Sequence, residues 1–334
     1  MKSVLIIGGT QPTTSDLHLL YHRAFLKLGW SARFLSSDSD LPMGEAVLRQ
    51  ARLRFSRLHF GLFDRRVRRA AREARPDLVF ISGSNWYLGA ETIRWLRRRG
   101  ARVALNEQHL QVFRPYQAEC LPHYDHVFTQ DGGLASLLQA ASAARGVSVL
   151  GPACDPEEHR PLELGREDRS ALGAEVCYLG YAYPNRIQAF EGLTRFDLRL
   201  WGMGWDASLL LAPFFRPEPV HGLKKTKIYN ATAVNVNIQS NHYQLDGVTC
   251  RPFEVAACGG FCLCDGRRDL GRFFALGDEV VSFDGPEDLK AKVAYYLAHE
   301  EERRELARRA RARVLREHTY EHRVRQVLAT LGLE

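Results

Sequence analysis

The sequence has little lysine, few cysteines and no long apolar run. No segment approaches the ~20 consecutive apolar residues that a membrane-spanning helix needs, so we expect none. The seven cysteines are odd in number and lie mostly in apolar runs, which excludes a disulfide scaffold and favours free thiols. With 27 glycines and 14 prolines among 334 residues, the composition also excludes a collagen-like or disordered chain. The length instead predicts two globular domains.

Positive charge is the unusual feature of this composition. Lysine and arginine number 46 against 39 acidic residues, a formal net charge of +7, and only seven of the 46 are lysine. Ten arginines fall between Arg49 and Arg75, and seven between Arg303 and Arg316. This excess predicts an anionic partner such as a nucleotide, a phospholipid surface or a nucleic acid. The alternative is that the arginines are solvated on helix faces and bind nothing.

Apolar, β-rich runs alternate with amphipathic segments, the pattern of an α/β fold with parallel sheets. The opening segment predicts a buried strand, Ser3–Ile7, followed by a polar loop rather than by a signal-peptide cleavage region, so we expect a cytoplasmic protein. The proline-rich stretch 151–167 is predicted to be a linker between domains, and after it the alternation restarts with Val176–Leu179. The chain from Glu300 to Leu331 is predicted to be helical, with a break near His318–Thr319. Two successive α/β domains are therefore expected.

The loops that follow strands are the expected binding elements, since ligands of parallel sheets bind at the carboxyl ends of the strands. Gly9 lies in the Gly-Gly-Thr loop after the first strand, where glycines let backbone N–H groups approach a phosphate. A plain tight turn is the alternative, and the loop is not the G-x-G-x-x-G of a nicotinamide site. His109 ends the polar run NEQH after another strand. It is either a proton donor or hydroxyl ligand, or a structural histidine.

Basic residues follow strands in the second half. Arg186, in YAYPNR, is predicted in the first turn of a helix, where a guanidinium group can bind a diphosphate. A surface ion pair is the alternative for this arginine. Lys224, Lys225 and Lys227 lie within four positions at a predicted helix start, and any of them could meet phosphate.

Two carboxylates frame the most informative segment, NHYQLDGVTCRPFEVAACGGFCLCD. Asp246 is predicted in a loop and Glu254 one turn into the next helix, where they could bind sugar and ribose hydroxyls. Arg251 could balance them or meet phosphate. Cys262 and Cys264 share one face of a predicted buried strand with no histidine nearby, which favours packing over metal binding.

At this point the sequence resembles a known family. RPFEVAACGGFCLCD is similar to the E-A-x-A-x-G-x-P-V region of glycosyltransferase family 4, and more closely to the R-x-F-E-x-x-A-C-G of its spore-maturation-type (CgeB-like) branch. LGPACDPEEHRP resembles the interdomain stretch ending D-x-x-x-F-x-P, with His159 in place of the aromatic. VCYLGYAYPNR resembles the F-V-G-x-x-x-x-x-R strand and loop, and HTYEHR the H-T-Y-x-x-R signature. The resemblance covers about residues 145–330.

This resemblance implies the GT-B architecture, in which two Rossmann-like parallel-sheet domains face a cleft. The expected parts are an N-terminal acceptor domain (1–160), a C-terminal nucleotide-sugar donor domain (161–316) and a last helix (317–334) that crosses back to the N-domain. The implied activity is transfer of a sugar from a nucleotide-diphosphate sugar to an acceptor hydroxyl by a bacterial, cytoplasmic hexosyltransferase-type enzyme (EC 2.4). Retention of configuration, without a metal or cofactor, is also implied.

The resemblance also implies roles for particular residues. Glu254 would bind the donor ribose and Asp246 would address the transferred sugar. Arg186 and a lysine, Lys225 or Lys227, would take the diphosphate together with the Gly9 loop and Arg251. His109 would correspond to the histidine of the N-domain that lies near the donor sugar.

Three alternatives remain from the sequence. A catalytically degenerate GT-B protein would bind a nucleotide sugar without transferring it, and an epimerase would use the same fold. A nucleic-acid-binding protein would use the Arg49–Arg75 segment, although its aromatic residues lie at spacings that suit helix packing, so nucleic acid is the less expected partner. The sequence names neither the base, the sugar nor the acceptor, which is a glycan, a lipid-linked molecule or a small molecule. The basic N-terminal half also predicts a peripheral contact with an anionic membrane.

Overall fold

The computed structural model describes residues 1–8, 17–36, 56–83, 88–108, 115–218, 220–240 and 244–334. The chain divides into two compact units, Met1–Leu150 with Arg323–Glu334, and Gly151–His322. The boundaries predicted at residues 160 and 316 lie ten residues after and six residues before those of the structure. Among the described helices, none is long and apolar enough to cross a bilayer.

The first unit is built on a six-stranded parallel sheet in the order β2-β1-β3-β4-β5-β6. Its strands are β1 (Ser3–Gly8), β2 (Ser31–Ser36), β3 (Leu78–Ser82), β4 (Arg102–Glu107), β5 (His126–Thr129) and β6 (Val147–Val149). The helices beside it are α1 (Leu17–Lys27), α2 (Ser56–Ala74), α3 (Ala90–Arg98), α4 (Pro115–Cys120) and α5 (Gly132–Ala140). Strands β1 and β3 are almost wholly buried, as continuous apolar runs covered by helices on both faces should be.

The second unit has its own six-stranded parallel sheet, in the order β12-β11-β10-β7-β8-β9. Its strands are β7 (Val176–Leu179), β8 (Leu198–Trp201), β9 (Phe215–Arg216), β10 (Val234–Asn237), β11 (Cys262–Asp265) and β12 (Val281–Phe283). Read outwards from β7, this is the strand order of a dinucleotide-binding fold. The order reverses between β7 and β10, and such a reversal opens a crevice at the carboxyl ends of the two strands.

Helices of the second unit connect these strands, and a helical segment ends the chain. They are α6 (Arg166–Leu172), α7 (Pro184–Glu191), α8 (Gly222–Ala231), α9 (Arg251–Ala257), α10 (Leu270–Phe273), α11 (Gly285–Ala298), α12 (Glu300–Glu317) and α13 (Tyr320–Leu331). The predicted break near His318–Thr319 is confirmed, since it separates α12 from α13. The part of α13 from Arg323 onwards belongs to the first unit, where Gln326 donates a hydrogen bond to the carbonyl of Val149 at 2.9 Å.

Most predicted strands are confirmed to within a residue or two, and the α/β class is confirmed. The structure adds the two-residue strand β9 and the short helices α4, α6 and α10, which the apolar pattern did not predict. Helix α6 begins at Arg166, inside the stretch 151–167 that was predicted to be a linker, and none of its residues is buried. The segment 37–62 has an ambiguous pattern that is interpreted as mostly helical and basic. Residues 37–55 lie outside the described part of the chain, and residues 56–62 belong to α2.

Candidate functional site

Arg251 ties together the two strand ends at the crevice of the second sheet. It is the first residue of α9, and its guanidinium group donates hydrogen bonds to the Asn237 side chain (2.6 Å) at the end of β10 and to the Leu179 carbonyl at the end of β7. The same group lies over the Tyr178 ring, 4.5 Å from its centroid. A planar group with five donors suits this bridging position, which one ammonium group would not span.

Arg186 makes a second bridge at the same place. Its Nε donates to the Ile238 carbonyl, just after β10, and its Nη1 to the Tyr181 carbonyl, just after β7, both at 2.9 Å. It lies 5.2 Å from the centroid of the Tyr178 ring, so both guanidinium groups flank one aromatic ring. Burial lowers the pKa of Arg186, but an arginine stays protonated in any ordinary environment.

The crevice therefore holds two positive charges, the buried Arg186 and the half-buried Arg251. Among the described residues, neither Arg186 nor Arg251 forms a salt bridge, since their acceptors are carbonyl and amide oxygens. Three buried polar atoms there have no hydrogen-bond partner in the described part of the chain. They are Nε of Arg251 and the side-chain atoms Oε1 and Nε2 of Gln239. Buried charges and polar atoms left in this state are costly unless a ligand completes them. An anion is the chemical complement of this crevice.

Gly202 allows the loops after β7 and β8 to approach closely. Its φ of +126° is in a region that favours glycine, and a Cβ there would lie 2.1 Å from the carbonyl oxygen of Gly180. Trp205 fixes the same carbonyl, because its indole N–H donates to Gly180 at 2.9 Å. Trp201 and Trp205 are both buried, so the aromatic side chains of this segment pack in the core.

Glu254 lies one turn after Arg251 on α9, and its carboxylate is enclosed by polar side chains. Oε1 accepts a hydrogen bond from Lys225 Nζ at 3.0 Å, and Oε2 accepts one from the Tyr229 hydroxyl at 3.2 Å. Burial alone would raise the pKa of Glu254, but Lys225 and His159 lower it to about 2. Burial would likewise lower the pKa of Lys225, and the carboxylate raises it instead. Glu254 is thus a fixed, ionised acceptor.

His159 is a neighbour of Glu254 that the sequence did not predict. Its Nδ1 accepts a hydrogen bond from the backbone N–H of Asp155 at 3.1 Å, so the proton of the neutral ring is on Nε2. Nε2 lies 3.7 Å from Glu254 Oε1, and burial lowers the pKa of the ring. The available signal was its place in DPEEHRP, where the family has an aromatic residue.

The lysines of α8 point in different directions. Lys225 reaches Glu254, whereas Lys227 pairs with Asp168 of α6 at 2.9 Å and Lys224 pairs with Glu218 at 3.0 Å. Positions 225 and 227 are about 200° apart around a helix, which explains the difference. Only Lys225 among the three joins the Glu254 cluster.

The remaining predicted site residues are Asp246, Gly9 and His109. Asp246 is in the loop before α9, as predicted, with Oδ2 4.0 Å from the exposed guanidinium group of Arg268. Gly9 and His109 lie outside the described residues. Gly8 precedes Gly9 in the chain and ends β1, where a Cβ would lie 3.1 Å from His18 and 3.3 Å from the Ser82 carbonyl. This tight fit favours glycine at the strand reversal of the first sheet.

The cysteines are free thiols, and those singled out by the sequence lie in the core. Cys262 and Cys264 are buried on β11, where their sulfur atoms are 3.7 Å apart. Burial raises the pKa of Cys258, so this thiol stays protonated. In the described part of the chain, no three histidine, cysteine or acidic residues are grouped as a metal site would need.

Comparison with known proteins gives this geometry a context. Residues 185–329 match the family described as "Glycosyl transferase-like". A relative is the spore protein CgeB of Bacillus subtilis (strain 168), which is 26% identical, with the match covering 44% of this chain and 52% of the relative. The chain thus spans about half the length of that protein.

Several solved structures are similar to the whole chain. Sucrose-phosphate synthase (tll1590) from Thermosynechococcus elongatus is 12% identical with a TM-score of 0.70, covering 99% of this chain and 98% of that one. Anabaena Alr3699/HepE in complex with UDP is 11% identical with a TM-score of 0.62, covering 99% and 100%. The lipopolysaccharide outer core galactosyltransferase WaaB is 11% identical with a TM-score of 0.59, covering 99% of each chain. The predicted resemblance is confirmed: the chain has the two-domain α/β GT-B fold and is similar to the CgeB-like glycosyltransferases.

Proposed function

We propose that this chain transfers a sugar from a nucleoside diphosphate sugar to an acceptor hydroxyl, and that the second unit binds the donor. The observation that carries the proposal is the pair of guanidinium groups at the carboxyl ends of β7 and β10, the buried Arg186 and the half-buried Arg251. Neither is neutralised by a carboxylate of the described residues within salt-bridge distance. A diphosphate brings the negative charge and the oxygen acceptors that this crevice needs.

Fixed cations suit the chemistry of this reaction. When the bond between the anomeric carbon and the leaving oxygen breaks, negative charge develops on the nucleoside diphosphate. Guanidinium groups already held by Leu179, Asn237 and Ile238 need no rearrangement to stabilise that charge. The acceptor hydroxyl then forms the new bond to the anomeric carbon and loses its proton. His109 and Asp246 remain the predicted groups near the sugar.

Glu254 fits the role of ribose ligand. Its pKa of about 2 keeps the carboxylate ionised, so it can only accept hydrogen bonds, as two adjacent ribose hydroxyls require. A carboxylate offers about four lone-pair sites, and Lys225 and Tyr229 occupy two of them. Two sites are left for a ligand.

UDP and UDP-glucose are the first donors to try, because the Anabaena HepE structures hold them. Titration calorimetry of the full chain with UDP should give saturable binding that is weakened at least tenfold by Arg251→Gln and by Arg186→Gln. Arg216→Gln is the matched control, since that guanidinium group also donates to backbone carbonyls, those of Pro213 and Phe215, on the edge strand β9. Equal affinity in all three variants would contradict the proposed site.

Catalysis needs its own measurement. We propose that the sugar is transferred with retention of configuration and without a bound metal, as the family resemblance implies. The anomeric configuration of the product, read by NMR, and activity in the presence of EDTA test these two points. Donor binding with neither hydrolysis nor transfer to any acceptor would favour the degenerate binding protein instead.

A further inference from the structure

The net positive charge of the chain belongs to one unit. The first unit has 23 lysines and arginines against 13 acidic residues, a net charge of +10. The second unit has 23 against 26, a net charge of −3. The donor crevice lies in the second unit, so it does not account for the excess. The excess requires another explanation in the first unit.

The described arginines of the two arginine-rich segments, Arg49–Arg75 and Arg303–Arg316, make different contacts. On α12 of the second unit, the arginines pair with acidic residues of the same helix or of the segment before β12. These pairs are Arg304–Glu300, Arg308–Glu305, Arg309–Asp278, Arg313–Glu279 and Arg316–Glu317. This segment is therefore a solvated, internally balanced surface, as exposed pairs of this kind commonly are.

On the first unit, three arginines surround one indole ring instead. Arg68 and Arg72 of α2 and Arg99, just after α3, place their guanidinium carbons 5.7, 5.3 and 4.5 Å from the centroid of the Trp95 ring. In the part of the chain that the structure describes, none of the three takes part in a salt bridge. We call this set the Trp95 face. Cation–π contact does not cancel charge, so Arg72 and Arg99 keep theirs. Arg68 also donates from Nε to Thr92 Oγ1 at 2.9 Å, and its charge is partly offset by Asp64.

A pocket adjoins the Trp95 face. It has a volume of about 280 Å³, lies at the C-terminal ends of α2 and α3, and is lined by Ala71, Arg75, Pro76, Leu96, Arg99 and Ala101. Its lining combines apolar side chains with the charged groups of Arg75 and Arg99. A recess with two guanidinium groups beside apolar surface suits a phosphate carried on a larger, partly apolar molecule.

We propose that the Trp95 face docks on an anionic lipid surface and that the pocket beside it takes a headgroup phosphate. The inference goes beyond the proposed sugar transfer and does not depend on it. Arginines grouped on the outer sides of two adjacent helices meet many headgroups at once, and attraction to an anionic surface adds up over such charges. Nucleic acid is the less suitable partner, because the guanidinium groups already cover the Trp95 ring and leave it unavailable for base stacking.

Vesicle flotation of the full chain tests this proposal. The wild-type protein is expected to float with vesicles of equal parts phosphatidylglycerol and phosphatidylcholine, and not with pure phosphatidylcholine. The triple variant Arg68→Gln, Arg72→Gln, Arg99→Gln should bind about 100-fold more weakly. The control Arg304→Gln, Arg308→Gln, Arg309→Gln removes the same three charges from the balanced α12 and should bind like wild type.

Three results would overturn the proposal. The first is that the wild type does not float with anionic vesicles, and the second is that both triple variants lose vesicle binding equally. The third is that duplex RNA displaces the protein from the vesicles at a lower concentration than free phosphatidylglycerol micelles do. The variant Arg68→Lys, Arg72→Lys, Arg99→Lys guards against loss of folding, since it keeps the charge and should retain most of the binding. UDP affinity, measured on each variant, should stay unchanged, which separates this surface from the donor site.

Discussion

The Nζ of Lys225 lies 3.0 Å from Oε1 of Glu254, and both side chains are buried. The pair joins α8 to α9 beside the crevice that Arg186 and Arg251 line. Taking two charges out of water is costly, and the additional contacts to Tyr229 and His159 offset part of that cost. The pair consequently links the stability of the second unit to its binding chemistry.

Single substitutions in this pair should destabilise the protein. The family resemblance implies that Glu254→Ala loses most donor-dependent transfer while the protein stays folded. The structure shows that this change also leaves Lys225 buried without its partner. We expect a loss of about 3–5 kcal/mol in the free energy of unfolding. Urea denaturation of Glu254→Ala and of the double variant Lys225→Met, Glu254→Gln measures this. The double variant should be closer to wild type, and equal losses in both would show that the ion pair is not the cause.

Lys225 and Lys227 should differ in their effects. Lys227→Met removes a partly exposed pair with Asp168 and should cost under about 1 kcal/mol, with UDP affinity unchanged. Lys225→Met leaves Glu254 buried and unpaired, so it should weaken both stability and UDP binding. Denaturation of the two variants measures their stability, and titration calorimetry measures their affinity for UDP. A larger fall in UDP affinity for Lys227→Met would move the phosphate contact to that lysine.

Stability should decline with acid in two steps that this cluster explains. Burial lowers the pKa of His159 below its ordinary 6.5, so the unfolded chain takes up a proton first and stability falls below about pH 6.5. The pKa of Glu254 is about 2 against an ordinary 4.5, so its contribution is present above 4.5 and lost as pH falls towards 2. The free energy of unfolding is measured at pH 7.5, 5.5 and 3, values chosen around these pKa values. Between pH 7.5 and 5.5, His159→Phe should lose less stability than the wild type.

Arg251→Lys should not behave as a conservative change. A lysine keeps the charge but cannot donate to Asn237 and Leu179 together from a flat group over Tyr178. We expect UDP affinity to fall about tenfold or more while α9 stays folded. Calorimetry with UDP gives the affinity and circular dichroism the helix content. Wild-type affinity in the lysine variant would mean that only the charge of Arg251 matters.

The periodicity of the chain predicted the two sheets, because buried parallel strands are continuous apolar runs with clear ends. Helices α4, α6 and α10 were missed because short helices without a strong apolar stripe leave little pattern. The positions of Arg186, Arg251 and Glu254 after strands or at helix starts were also predictable, whereas their roles stay predictions. Their partners were not predicted.

The sequence does not show which neighbouring element each helical side chain faces. Lys225 and Lys227 are equivalent in the sequence pattern, and only the packing of α8 against α9 and α6 separates them. His159 is distant from Glu254 along the chain, so its contact depends on the fold as a whole. The two arginine-rich segments are likewise similar in composition. Only the structure shows that arginines of α12 pair with acidic residues, whereas Arg68 and Arg72 contact the Trp95 ring.

Gly202→Ala tests the close approach of the loops after β7 and β8. The added Cβ would lie 2.1 Å from the Gly180 carbonyl oxygen, which is backbone that Trp205 holds in place, so one loop must move. Gly277→Ala is the matched control, because Gly277 also has a positive φ, +82°, but a Cβ there meets nothing within 4 Å. The control should lose about 1 kcal/mol from backbone strain alone, and Gly202→Ala clearly more. Thermal unfolding measures both, and UDP binding should weaken only in Gly202→Ala because the displaced loop carries the Tyr181 carbonyl that orients Arg186.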